Sequence, residues 1–394
     1  MSTRARHSAC MLALLAACAT TNPIDAQDRD AGGNVLIESD AGPKADGGEI
    51  RDAAIDTREA NANPRVCSDD GFCHSAVPAG THFRGLWGDG TGVIWAFTLE
   101  QDIVRWDGAT WNVHHHSEAP ISGIWGSGPT DIWVVTTAGL LHGTGESSAQ
   151  LSFSPTGYIP GDQTAMIKAV WGTGPLGAWA VGGVEPPSAL EEMRGRVLRY
   201  VDDPDLGIDW QLDRELSAQK ISFHGVWGSP ATGVWLHGVA RENADIRARL
   251  LHRAPGATVW SSIMLPASFR EFVGIGATSD ASIALIANTT DLVTQIWQGK
   301  SDDGGSTFTW TVLEEPSELR PPYAIWGAGQ NDLWAVGKSG LLSHWDGSEW
   351  KQAAIRVDEL VVTRSLWGMW GTSNDDFWVV GDEIALHKSH AGKP

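Results

Sequence analysis

Pairs of tryptophans eight residues apart recur along most of the sequence, and this spacing constrains the fold more than any other feature. The clearest copy, residues 325–350, reads IWGAGQNDLWAVGKSGLLSHWDGSEW. Two short apolar runs flank a polar turn, and a third, alternating run ends at Asp346-Gly347, a dipeptide typical of tight hairpin turns. A fourth run begins at Trp350. Each unit therefore predicts four short antiparallel strands.

Besides six intact copies of this unit, the sequence contains one degenerate copy, which is the fifth in chain order. It lies midway along the long gap between Trp227 and Trp326, in FVGIGATSDASIALIA, where we assign Ile275 and Ile283 to the two tryptophan positions. The mean repeat is about 47 residues, without the 3.6-residue period of helical repeats. We therefore expect an all-β fold, a seven-bladed β-propeller of four-stranded antiparallel blades. The six intact pairs are Trp87/Trp95, Trp125/Trp133, Trp171/Trp179, Trp227/Trp235, Trp326/Trp334 and Trp370/Trp378.

The two ends of the repeat region complement each other. The last copy stops in its third strand near Lys388, and ahead of the first copy Asp70-Gly71 and FCHSAV supply a turn and an unattached strand. We expect this N-terminal strand to complete the seventh blade and close the ring, which removes an open sheet edge. The propeller is predicted to span 66–390, with 391–394 as a short tail.

The N-terminus has the features of an export signal. Residues 1–17 combine Arg4 and Arg6 with a short apolar core, as secretory signal peptides do. The sequence Leu15-Ala16-Ala17-Cys18 resembles the lipobox of bacterial lipoproteins, which implies an acylated Cys18 and a membrane anchor of acyl chains alone. Ordinary signal peptidase cleavage near Ala17 is the alternative. Because no Asp follows Cys18, the resemblance favours the outer membrane of the cell envelope.

Residues 18–65 differ in composition from the rest. They are rich in Ala, Asp and Gly and contain no aromatic residue, so they predict a disordered acidic tether. Just beyond it, Cys67 and Cys73 are expected to form a disulfide after export. A metal site with His74 is the alternative, but no second Cys pair or spaced His supports it.

The formal net charge is −20, which argues against a nucleic-acid partner because phosphate binding requires a basic surface. We expect a monomer that contacts an envelope protein or a polysaccharide through one rim of the propeller. The segments 183–195 and 114–120 are the loop insertions where a ligand is expected. No cofactor is expected.

One turn carries a recognisable motif. Ser301, Asp303, Gly305 and Phe308 match the pattern S-x-D-x-G-x-T-F/W, and shorter versions occur at Asp107 and Asp346. This resembles the Asp-box, a structural hairpin turn of sialidase-like propellers. The whole chain resembles bacterial exported β-propeller lipoproteins with Trp-Gly repeats of the Asp-box (BNR-like) or kelch-like kind.

Catalytic motifs are missing from the sequence. A sialidase needs a tyrosine nucleophile with a Glu partner and an arginine triad, whereas the three tyrosines here do not occupy such a context. The H-E-x-x-H and G-x-S-x-G patterns do not occur either. We therefore expect a non-catalytic binding or scaffold protein. A glycan-binding or glycan-hydrolysing, sialidase-like propeller is the alternative.

A basic residue precedes the third-strand tryptophan position in nearly every repeat. A ring of such groups facing one rim would bind an anionic ligand or a glycan. We favour a structural role, in which the pairs Asp131/His142, Asp332/His344 and Asp376/His387 brace adjacent strands, as in WD-repeat blades. The seven residues are Arg105, His142, Arg199, His252, Ile296, His344 and His387.

Two clusters have metal-binding residue types. One is the triplet His114 to His116 with Glu118, and the other is the aspartate run Asp202, Asp203, Asp205 and Asp209. Side chains alternate between the faces of a strand, and the aspartates do not follow the EF-hand pattern. A specific metal site is therefore not expected at either cluster.

Overall fold

The computed structural model describes residues 67–389, except 158, 174–176, 189, 204–207, 231, 244, 280–281, 314–319, 354 and 358–359. The signal peptide, Cys18, the tether and the 391–394 tail lie outside this range. Seven four-stranded antiparallel sheets form the predicted seven-bladed β-propeller. At six of the seven blade boundaries the first strands of the two blades pack against each other, so the first strands lie closest to the ring axis.

Blades 1 to 6 each use four strands that are consecutive in the chain, from the first, inner strand to the fourth, outer strand. Blades 1 to 3 contain Phe83–Gly88, Ile94–Thr98, Asp102–Trp106 and Trp111–His116; Ile121–Gly128, Asp131–Thr136, Gly139–Thr144 and Ser152–Pro155; Met166–Thr173, Gly177–Val184, Arg194–Asp203 and Ile208–Leu212. Blades 4 and 5 contain Ile221–Ser229, Gly233–Glu242, Asp245–Arg253 and Ser261–Ser262; Phe269–Ser279, Ser282–Thr289, Thr294–Lys300 and Thr309–Leu313. Blade 6 contains Pro322–Gly329, Asp332–Gly337, Leu342–Trp345 and Trp350–Gln352.

The N-terminal strand closes the ring. Phe72–Ser75 pairs antiparallel with Ile384–Ser389 and becomes the fourth strand of blade 7, beside Leu366–Ser373 and Asp376–Gly381. Phe72 is fully buried and makes edge contacts with Trp334 and Phe377, at 5.5 and 5.4 Å between ring centroids. The predicted closure is confirmed, and the expected Cys67–Cys73 disulfide is present beside the closing strand.

The remaining elements are short. They are the helix Arg214–Ser217, the 3-10 turns Ser148–Gln150 and Lys338–Gly340, and a two-stranded hairpin of Arg356–Val357 and Leu360–Val361. Within the described part of the chain, no helix has the length and apolar character needed to cross a membrane.

The alternation of turns gives the propeller two faces. Turns from first to second strands and from third to fourth strands lie on one face, which we call the Trp-Gly face because Trp87-Gly88 and its repeats end their strands there. Turns from second to third strands and the connections between blades lie on the other, which we call the bulge face.

The Trp-Gly pair has a packing explanation. The ring of Trp87 in blade 1 lies over Gly126 of blade 2, where an added Cβ would come within 2.7 Å of the indole. Trp370 covers Gly88 in the same way, and so does Trp171 with Gly228. These three inner tryptophans thus fasten their blades to the next one, and the glycine provides the space that the indole needs.

The paired tryptophans lie directly opposite each other on neighbouring strands, as Trp87 and Trp95 do. The register in blade 5 differs from the expectation. Gly276 lies opposite Ala284 at the two tryptophan positions, whereas Ile275 pairs with Leu285 and Ile283 with Ala277. The assignment of Ile275 and Ile283 was therefore wrong by one residue, because this blade has no tryptophan at these positions to anchor an alignment.

Candidate functional site

The Trp-Gly face carries a repeated Asp, His and Trp arrangement. His142 Nε2 lies 2.5 Å from Asp131 Oδ1, and the imidazole stacks on Trp133 with ring centroids 3.8 Å apart. The same contacts join His344 to Asp332 at 2.6 Å and His387 to Asp376 at 2.8 Å. These three pairs connect the ends of adjacent strands within one blade, which is the geometry a structural brace requires.

Other blades use the same position differently. His252 is buried and contacts the carbonyl oxygens of Thr232 and Gly305, at 2.6 and 2.8 Å. In blade 5 the residue opposite the tryptophan position is Gln298, not Ile296 as the sequence alignment suggested. Gln298 is buried and donates to the carbonyl of Gln330. Most of the residues at this position, opposite the second-strand tryptophan, are therefore engaged in contacts within the protein.

The Asp-box residues form a tight turn between the third and fourth strands of blade 5. Asp303 Oδ1 accepts from the backbone N–H groups of Ser306 and Thr307, at 3.0 and 2.9 Å, and Gly305 N donates to Ser301 Oγ. Gly305 has a φ of 83°, which glycine adopts without strain. Hydrogen bonds from Thr307 and Ser301 lower the pKa of Asp303 to about 2.

The bulge face is organised by a feature that the sequence reasoning did not identify. In every blade, the register of the inner strand against the second strand skips one residue near the start of the inner strand. This is a β-bulge, which re-aims the side chain of the extra residue. We call these residues the bulge ring: Arg84, Ser122, Lys168, His224, Val273, Tyr323 and Trp367.

The residue after each bulge is always small. It is Gly in five blades and Ala in blades 3 and 6. An added Cβ on Gly368 would come within 3.2 Å of Gly85 Cα in the neighbouring blade, and one on Gly274 within 3.3 Å of the Tyr323 carbonyl. Small residues therefore let the inner strands approach each other closely just below the bulge ring.

Blades 6, 7 and 1 contribute an aromatic and cationic part of the ring. The Tyr323 and Trp367 rings stack with centroids 4.4 Å apart, and the Arg84 guanidinium carbon lies 4.5 Å from the Trp367 ring. Asp382 accepts from Arg84 Nη1 at 2.8 Å and from Trp367 Nε1 at 3.0 Å. Burial, with the negative charge of Asp382, raises the pKa of Tyr323, so its hydroxyl remains protonated.

Blades 3 and 4 contribute a charged part. Glu185 Oε1, in the turn between the second and third strands of blade 3, lies 2.5 Å from Lys168 Nζ and 2.6 Å from His224 Nε2. Ser222 Oγ donates to the same oxygen at 3.1 Å. Burial alone would raise the pKa of Glu185, but the hydrogen bond and charge of His224 and the Lys168 ammonium outweigh it and lower the pKa well below its usual range.

His237 lies behind this cluster. Its ring lies directly over Gly225, where an added Cβ would come within 2.1 Å of His237 Nε2. Burial, together with the positive charges of His224 and Lys168, lowers the pKa of His237 to about 3. This imidazole is therefore neutral near pH 7, and further positive charge does not accumulate beside Lys168.

Exposed apolar side chains are concentrated on the bulge face. Leu190 is 96% exposed, Met264 88% and Leu292 64%, and all three lie in turns or connections of this face. Leu99 and Val361 are exposed on the same face. Both loop segments expected to bind a ligand, 183–195 and 114–120, also lie here, and Glu185 brings the first of them to the bulge ring.

The two candidate metal clusters differ in what the structure shows. The histidine triplet does not converge, because His114 contacts the Leu151 carbonyl, His115 packs near Phe153 and His116 contacts Asp102. Among the described residues, no group of three or more His, Cys, Asp or Glu side chains is arranged to hold a metal ion. The side chains of Asp202 to Asp209 lie outside the described part.

Comparison with known structures agrees with the fold. No protein-family model and no curated protein matches the sequence. The structure of YCF48 bound to D1 peptide is 20% identical and superposes with a TM-score of 0.58, over 81% of this chain and 97% of that one. YCF48 from Cyanidioschyzon merolae is 14% identical, with a TM-score of 0.58 over 81% and 98%.

A further match is the extracellular domain of BT4673, a putative hybrid two-component system of B. thetaiotaomicron. It is 13% identical with a TM-score of 0.56, and the match covers 80% of this chain and 39% of that one. At these identities, the similarity shows the fold alone. The fold and the site define the protein as a seven-bladed β-propeller with two different faces. On the Trp-Gly face several blades repeat the same side-chain arrangement, whereas the bulge-ring residues differ from blade to blade.

Proposed function

We propose that this protein is a non-catalytic cell-envelope binding protein, and that its propeller engages a partner polypeptide through the bulge face. One observation carries the proposal. The backbone bulge occurs in all seven blades, yet the seven residues placed on it differ in charge, size and polarity. Repetition of the backbone without repetition of the side chains is what a scaffold that presents a specific surface requires.

The exposed apolar residues favour a protein partner. Leu190, Met264 and Leu292 lie in turns or connections of the bulge face, and each exposes more than half of its side chain to water. Apolar anchors around polar groups are typical of protein interfaces. The known structure of YCF48 bound to D1 peptide supports the same interpretation, since it shows a propeller of similar fold with a peptide ligand.

Export and lipid anchoring complete the proposal. The disulfide Cys67–Cys73 suits an oxidising compartment, and the extracellular domain of BT4673 has the same fold. The sequence before the propeller supports acylation at Cys18, with 18–65 as the tether and the outer membrane as the destination. Labelling with a radioactive fatty acid tests this part. A wild-type protein that takes up label, and a Cys18→Ala variant that does not, are the expected results.

A glycan-binding or glycan-hydrolysing propeller is the second candidate. Sugar binding needs an aromatic face that is open to the ligand. Trp367 has little open ring surface, because Tyr323 and Arg84 pack against its ring. The aromatic pair nevertheless lies near the starts of the inner strands of blades 6 and 7, which contact each other. A glycan array with a clear hit on the wild-type protein would favour this candidate over a polypeptide partner.

The polypeptide proposal is tested by surface substitution. Leu190→Asp and Leu292→Asp place charge on the bulge face, and Ala109→Asp does so in an exposed turn of the Trp-Gly face. We expect the first two variants to lose a partner that the wild-type protein captures from an envelope extract, and the third to keep it. Equal capture by all three would overturn the assignment of the binding face.

A further inference from the structure

The Trp-Gly face contains two arginines, Arg199 and Arg253, that form no ion pair with any residue of the described part of the chain. Arg199 occupies, in blade 3, the position that His142, His344 and His387 occupy in their blades. Those histidines contact an aspartate two residues before the opposite tryptophan, and blade 3 has Gly177 at that place. The brace is therefore absent from blade 3, and a guanidinium group stands in place of the imidazole.

The residues at the same position in the other blades each have a partner within the protein. Arg105 Nη2 donates to Ser148 Oγ at 2.8 Å, and His252 and Gln298 contact backbone carbonyls. Within the described part of the chain, Arg199 has neither a hydrogen bond nor an ion pair from its side chain. Of the residues at this position, Arg199 is thus the one to which the anion-binding interpretation from the sequence still applies.

Arg253 of blade 4 joins Arg199 at the same indole. The guanidinium carbons of Arg199 and Arg253 lie 5.0 and 4.7 Å from the Trp179 ring centroid. Arg253 also lies 5.4 Å from the ring of Trp260, which meets Trp179 edge to face at 5.7 Å. Two cations from neighbouring blades are therefore held beside a pair of indoles.

This arrangement is electrostatically unfavourable in the absence of a ligand. Burial and the nearby charge of Arg199 lower the pKa of Arg253, and the charge of Asp213 opposes that shift only in part. Cation–π contacts offset part of the repulsion. Arg199 is exposed and Arg253 is half-buried, so both side chains are in contact with water.

We propose that Arg199 and Arg253, with Trp179 and Trp260, form an oxyanion-binding site at the boundary between blades 3 and 4, suited to phosphate or sulfate groups. Each guanidinium presents five N–H donors in a planar fork that matches such oxyanions. The site lies on the face opposite the bulge ring, so it is independent of the proposed polypeptide interface.

Two variants separate binding from folding. Arg199→His restores the residue that other blades carry and preserves stacking on the indole, and Arg253→Gln removes the second charge. The control is Arg249→Gln, because Arg249 pairs with Glu242 on the bulge face. Thermal unfolding followed by circular dichroism verifies that each variant is folded.

Isothermal titration calorimetry at low salt with inorganic pyrophosphate, and separately with dextran sulfate, tests the site. We expect saturable binding by the wild-type and Arg249→Gln proteins, weakened about tenfold or more by either site variant, as loss of a charged hydrogen-bonding group predicts. Binding of pyrophosphate shows that a free oxyanion suffices, and binding of dextran sulfate alone assigns the site to a polymer. No saturable binding of either probe, or binding that both site variants retain, would overturn the proposal.

Discussion

His344 and Asp332 meet across adjacent strands of blade 6, with Nε2 and Oδ1 2.6 Å apart, while the same imidazole stacks on Trp334 at 4.3 Å. A hydrogen bond and an aromatic contact thus fix one side chain at the end of the blade. If this contact is a brace, its removal affects stability and leaves partner binding unchanged.

We expect His344→Ala to lower the free energy of unfolding by about 1–2 kcal/mol, because it removes a charge-assisted hydrogen bond and a stacked ring. Urea unfolding at pH 7 measures this. The double variant with Asp332→Ala should cost less than the two single changes combined, since both remove the same bond. Strict additivity would show that the two side chains do not act together.

The Trp-Gly packing predicts a sharp difference between two glycines of one strand. Gly126→Ala places a methyl group 2.7 Å from the Trp87 ring, whereas a Cβ added at Gly128 would meet no atom within 4 Å. We expect Gly126→Ala to cost about 1–3 kcal/mol through overpacking, with Gly128→Ala close to neutral. The measurement is thermal unfolding of both variants, and equal melting temperatures would refute the packing explanation.

Ring closure depends on Phe72. Because this ring is buried against Trp334 and Phe377, we expect Phe72→Ala to destabilise the protein by about 3–5 kcal/mol. Leu190→Ala, at a fully exposed position, is the matched control and should change stability little. Deleting 66–80 should lower the unfolding temperature further, and full thermal stability of that truncated protein would contradict closure by this strand.

The Asp-box turn predicts acid sensitivity. Hydrogen bonds lower the pKa of Asp303 from its ordinary 3.8 to about 2 in the folded protein, so the carboxylate form stabilises the fold above pH 3.8. That contribution is lost as the pH falls from about 4 to about 2. Comparing unfolding of the wild-type and Asp303→Asn proteins across this range should show a gap at about pH 6 that narrows toward about pH 2. A constant gap would argue against the titration of Asp303.

The sequence predicted the architecture well because the tryptophan pairs mark equivalent positions in six blades. Blade 5 shows the limit, since without tryptophans the positions of Gly276, Ala284 and Gln298 could not be assigned. The bulge ring was missed because a bulge is a property of strand pairing, which no residue type specifies. A signal was nevertheless present: the residue three before each inner tryptophan varies freely and is followed by Gly or Ala.

Site-specific photocrosslinking in the living envelope tests the central claim most directly, namely that the bulge face binds and the Trp-Gly face stabilises. A photoreactive amino acid is placed at Leu190 or Leu292 on the bulge face, and at Ala109 on the other face. We predict that both bulge-face positions capture the same polypeptide and that Ala109 captures none. Adducts at Ala109, together with none at Leu190 and Leu292, would contradict the account.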